Sequence, residues 1–70
     1  MSKHEELKPK VDNTVKLDHI MDCMRLAGSY ARSAGEAAWR EDVVELEIHI
    51  RQLRTCVIEG IKTFKEIGGA

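Results

Sequence analysis

Apolar residues recur along the chain at alternating spacings of three and four, the repeat that aligns side chains on one face of an α-helix. Leu17, Ile20, Met24, Ala27, Ala31 and Ala34 form a first stripe. Trp39, Val43, Leu46, Ile50, Leu53, Val57, Phe64 and Ile67 form a second, interrupted only where Gly60 takes the stripe position beside Ile61. The pattern breaks at Ser33-Ala34-Gly35-Glu36. Ser33 with Glu36 three residues on fits a capping box, and Gly35 fits the left-handed stop of a preceding helix. The pattern therefore predicts two helices, about 13–33 and about 36–67, joined by a tight turn. Such a turn folds them into an antiparallel two-helix hairpin, an all-α fold.

Residues 1–12 are mostly polar and hold the only proline. Pro9 disfavours helical geometry at Lys8, so this segment is expected to be a flexible N-terminal arm, with residues 13–70 as a single hairpin domain. Asp12 or Asn13 is the expected N-cap of the first helix.

In heptad terms Val43, Ile50, Val57 and Phe64 occupy a positions, and Trp39, Leu46, Leu53, Gly60 and Ile67 occupy d. This is the composition of a two-helix seam. Acidic residues (Asp12, Asp18, Asp22; Glu41, Asp42, Glu45) come early in each expected helix. Arg25 and Arg32 in the first, and Lys62 and Lys65 in the second, come late, so each helix complements its own macrodipole. The small residues Ala27, Gly28, Ser29, Ala31 and Ala34 are expected to make room across the seam for Trp39.

A turn near Ala34 sets residue i opposite roughly 69 − i. The first helix then ends opposite Cys56. Val57, Ile58, Ile61, Phe64 and Ile67 are left with no cover from their own chain except Leu7 and Val11 of the arm. With 70 residues the chain buries only about 60% of its unfolded surface, so a lone hairpin has too little core. These five residues are expected to form the interface of a homodimer, a four-helix bundle. Val44 and Ile48, one turn apart on the outer face of the second helix away from the seam, are expected either to be buried by the second subunit or, with Tyr30 on the flank of the first helix, to anchor a larger protein partner.

Charge and composition narrow the classes. Eleven basic against 12 acidic side chains give a net charge of −1, which supplies no large positive field. No apolar run approaches the roughly 18 residues of a membrane span, and Met1-Ser2-Lys3-His4-Glu5-Glu6 lacks a signal-peptide core. Two cysteines make no disulfide framework, so the expected setting is the cytoplasm, with no membrane partner.

Cys23 is expected opposite Leu46, roughly 15 Å along the axis from Cys56, too far for an intrachain disulfide. Cys23 and His49 share a flank of the pair, with His19 turned outwards. Two ligands and a doubtful third fall short of a structural zinc site, so no metal and no cofactor are expected. No phosphate loop, nucleophile elbow or apolar carboxylate pair is present, and no enzyme is expected. Lys16, Arg25, Arg32, Arg40, Arg51 and Arg54 are interleaved with acids, so nucleic acid is not the expected partner, though an RNA-binding hairpin dimer is the competing reading. The expected function is a non-catalytic protein–protein interaction module, a small homodimeric regulator or inhibitor that docks an apolar helix face onto a larger protein. Inhibitors carried by phages and plasmids have this build, as do secretion or assembly chaperones.

Overall fold

The computed structural model describes the backbone of residues 3–68 and the side chains of residues 13–68. Two helices pack against each other as a hairpin: α1 (Lys3–Trp39, 37 residues) and α2 (Val43–Glu66, 24 residues). The hairpin is long and thin, with extents of 61 × 17 × 13 Å. Its radius of gyration is 16.7 Å, against about 11 Å for a compact domain of this length.

The turn lies at Arg40–Asp42, about six residues later than the break at Ser33–Glu36 predicts. Gly35 is not a stop; it is exposed within α1, and Ser33 and Glu36 cap nothing. The stop is made without glycine. Glu41 takes the left-handed conformation (φ 61°), its amide donates to the Ala38 carbonyl at 3.0 Å, and the Asp42 amide reaches back to Ala37 at 2.8 Å. That bond pair is a Schellman motif, which satisfies carbonyls at the end of α1. Asp42 then starts the next helix. Its Oδ1 accepts the Glu45 amide at 3.1 Å, and its carbonyl accepts the Leu46 amide at 2.9 Å. A three-residue turn is enough because Asp42 serves both helices.

A β-carbon in left-handed geometry costs roughly 1 kcal/mol that glycine avoids. Glu41→Gly is therefore expected to stabilise the hairpin by about 0.5–1 kcal/mol in urea denaturation. A loss of stability would show that Glu41 makes an interaction worth more than the strain.

The start of α1 also differs. The backbone is helical from Lys3, through Pro9, so Asp12 and Asn13 lie inside the helix rather than at its start. The side chains of residues 1–12, including Leu7 and Val11, lie outside the described residues. Because α1 runs on to Trp39, Arg25 and Arg32 fall short of its last turn, which holds no basic residue. In α2 the expected arrangement holds, with Glu45 in the first turn and Lys65 in the last.

Moving the turn moves the register. Residue i now faces roughly 82 − i, with Cys23 beside Gly60 and His19 reaching Glu59. The overhang is thereby reversed. The last turns of α2 pack along α1, and it is the beginning of α1 that runs past the end of α2.

The seam is built from small residues. Cys23, Ala27, Ala34 and Ala37 are buried on α1, and Gly60 and Thr63 on α2, while no large side chain among the described residues is fully buried. Ile20 and Tyr30 on α1, and Leu46, Leu53, Cys56 and Ile67 on α2, flank these as half-buried neighbours. A Cβ at Gly60 would stand 2.6 Å from Cε of Met24 and 3.8 Å from Cβ of Cys23, so the bare backbone there is what admits α1. The seam uses d positions of α2 as expected. Its other row is Asp42, His49, Cys56 and Thr63, one position before the a residues. Val43, Ile50, Val57 and Phe64 are left exposed.

Candidate interaction surface

His19 precedes Ile20 of the seam and Glu59 precedes Gly60, and their side chains meet at 3.3 Å across the two helices. Residues one position before the seam therefore share one face of the hairpin, and residues one position after it share the other. Right-handed helices running antiparallel demand this pairing.

On the face after the seam, α1 presents Leu17, Met21 and Met24, followed one turn at a time by Gly28, Ala31, Gly35 and Ala38. All seven are exposed. Alongside them α2 presents Val43, Ile50, Val57, Ile61 and Phe64, also exposed, with Glu47 and Arg54 as the charged residues of the stripe. This face is predominantly apolar, broken on α2 by Glu47 and Arg54.

The opposite face is mostly polar. Asp22, Ser29 and Glu36 from α1 and Glu45, Gln52, Thr55, Glu59, Lys62 and Glu66 from α2 lie on it. Its apolar members are Val15 and Leu26, with Ile48 where it borders the outer side of α2.

The residues expected to bear a site fall in several places. Val57, Ile61 and Phe64 lie on the apolar face, Ile58 on the outer side of α2, and Ile67 half-buried in the seam. Val44 is 71% exposed and Ile48 is exposed beside it, both on the outer side of α2, whereas Tyr30 is half-buried against α2. Leu17, Met21 and Met24 belong with the apolar face but are missing from the expected site. Their signal was the exposed apolar row one position after Lys16, Ile20 and Cys23. Trp39 does not pack into the small residues of α1; it stands 86% exposed beside the turn.

The candidate chemistry regroups as well. His49 does not approach Cys23. Its ring contacts Glu45 at 3.0 Å and Gln52 at 3.0 Å, all within α2. Cys23 instead lies 3.7 Å from Nε2 of His19, which also meets Glu59. Burial pushes the Cys23 thiol above its ordinary pKa, aided by the charges of Glu59, Cys56 and Asp22. The Cys23 thiolate is thus disfavoured, the opposite of what a nucleophile or metal ligand requires. Both cysteines are free. Among the described residues no group of three His, Cys, Asp or Glu side chains is placed to hold a metal ion. A depression of about 400 Å³ lined by Arg51, Arg54, Thr55 and Ile58 lies on α2 alone. Among the described residues no helix is long and apolar enough to cross a membrane.

Comparison with known proteins returned no matching family model, no matching curated protein and no matching solved structure.

Proposed function

We propose that this protein is a non-catalytic interaction module: a small cytoplasmic regulator or inhibitor that pairs with itself in a four-helix bundle and docks apolar helix surface onto a larger protein. One observation carries this reading, namely a hairpin with one predominantly apolar exposed face and, among the described residues, no large side chain fully buried in its seam. Soluble proteins seldom leave apolar surface of that extent to water unless it meets a partner. Two single helices also enclose none of the concavity that positions a substrate. Val44 and Ile48, one turn apart on the outer side of α2, form a second, smaller apolar spot suited to helix-on-helix docking.

The test is affinity capture from a cytoplasmic extract, with and without nuclease, read by mass spectrometry. A stoichiometric protein partner should survive nuclease and be lost when Val44→Asp and Ile48→Asp are combined. Capture that vanishes with nuclease would replace this reading by RNA binding.

A further inference from the structure

We infer that the apolar face of the hairpin is covered by a second copy of this chain, seated face to face; this rests on the interaction reading above and assigns the surface to its occupant. The surface to be covered is set by Leu17, Met21 and Met24 of α1 and Val57, Ile61 and Phe64 of α2, with smaller residues continuing it towards the turn.

The direction of the apolar arcs identifies the occupant. On α1 the sequence stripe alternates between seam (Ile20, Ala27, Ala34) and face (Leu17, Met24, Ala31). On α2 it alternates likewise between Leu46, Leu53 and Gly60 in the seam and Val43, Ile50 and Val57 on the face. Each arc is therefore centred between its neighbour in the hairpin and the open side. Both arcs lean to the same open side. A helix in a four-helix bundle points its arc in this way at the bundle axis, between two neighbours. What completes such a bundle is another antiparallel helix pair with the same tilt, and this chain is one.

Area agrees. The face itself is about 33 Å long for 22 residues at the helical rise, and up to 17 Å wide. In plan that is about 560 Å², which corrugation brings to the lower end of the roughly 600–1,000 Å² per partner of a standard stable interface. The face also offers relief on both sides of its midpoint. Gly28, Ala31 and Gly35 leave a shallow trough, and Leu17, Met21, Ile61 and Phe64 stand proud, so a copy finds both knobs and room for its own. The isologous contact of a two-fold dimer requires this self-complementarity.

Sedimentation of the full chain through the micromolar range tests the assignment. The expected result is a dimer whose thermal midpoint rises with protein concentration. Met21→Glu and Ile61→Lys each place an unpaired charge in the covered face, and each should raise the dissociation constant at least about 100-fold. The combined Val44→Lys and Ile48→Lys change, on the outer side of α2, should leave the dimer intact. A wild-type monomer with a concentration-independent midpoint overturns the proposal, as does a dimer broken by the outer pair and indifferent to Met21 and Ile61. An anilinonaphthalene sulfonate dye separates the two layers of inference. A monomer that binds the dye, and loses it with Met21→Glu, overturns the second copy and the self-pairing but keeps docking onto a larger protein. A monomer that binds no dye and is indifferent to Met21→Glu overturns both.

Discussion

Ala37→Leu is expected to lower the stability of the hairpin by about 2–3 kcal/mol, the range for forcing extra methylenes into a closed contact. Ala37 is 0% exposed, in the last full turn of α1, directly before the residues that close the turn. There is no slack to absorb a longer side chain, because the Asp42 amide is tied to the Ala37 carbonyl at 2.8 Å. For a domain of this size the loss is a drop in thermal midpoint of roughly 10–20 °C. Ser29→Leu, on the exposed polar face, should stay within about 0.5 kcal/mol. Gly60 gives the same answer from the other helix. Gly60→Ala should be tolerated, since the atom in its way is the terminal methyl of a flexible Met24, and alanine in a helix gains up to about 1 kcal/mol over glycine. Gly60→Leu should wedge the helices apart. If Ala37→Leu and Gly60→Leu both melt like the wild type, the helices are not held at the close approach described here.

The second large effect belongs to Phe64. In the hairpin it is 48% exposed, so its truncation removes little from the contacts of one chain. Covered by a second copy it becomes a buried aromatic, and Phe64→Ala should then cost about 3 kcal/mol. The loss should appear as a lower midpoint in denaturation and a weaker dimer in sedimentation, both dependent on protein concentration. A loss below about 1 kcal/mol, with association unchanged, would leave Phe64 as ordinary surface.

The helical class, the number of helices and their antiparallel packing are legible in the sequence because a three-four apolar repeat interrupted once admits little else. The turn is not. Ser33, Gly35 and Glu36 carry the stronger local signals, a capping box and a glycine, whereas the observed stop uses Glu41, a residue that left-handed geometry disfavours. The true start of α2 is Asp42, whose Oδ1 accepts the Glu45 amide. From that displacement the rest follows: the register, the reversed overhang, and the neighbours of Cys23 and His49. The apolar face was legible in a different and partial way. Periodicity reports the centre of an apolar arc but not which neighbour occupies it. With Leu46 turned to α1 and Val43 turned away, one stripe serves two surfaces. The residues expected in the overhang include three members of that face, Val57, Ile61 and Phe64, for a reason the structure does not keep. Leu17, Met21 and Met24 fall outside the expected site because the repeat alone places them in the seam or on its flank.

The small-residue seam also bears on how the two helices resist shear. Large interlocking side chains make a ratchet, in which one helix cannot slide along the other without lifting out of its grooves. Here Ala27, Ala34 and Ala37 face the part of α2 that carries Leu46, His49 and Leu53, while Gly60 and Thr63 face Cys23 and Ile20, so over much of the seam the large side chains of one helix meet small ones of the other. Axial position is also fixed at the two extremities of the contact. At one end stands the three-residue Schellman turn. Towards the other, the His19–Glu59 pair bridges the helices and Met24 overlies Gly60. The hairpin is thus pinned at both ends as well as along its seam, and the setting of every exposed apolar residue on α2 relative to those on α1 is inherited from the geometry of Glu41 and Asp42.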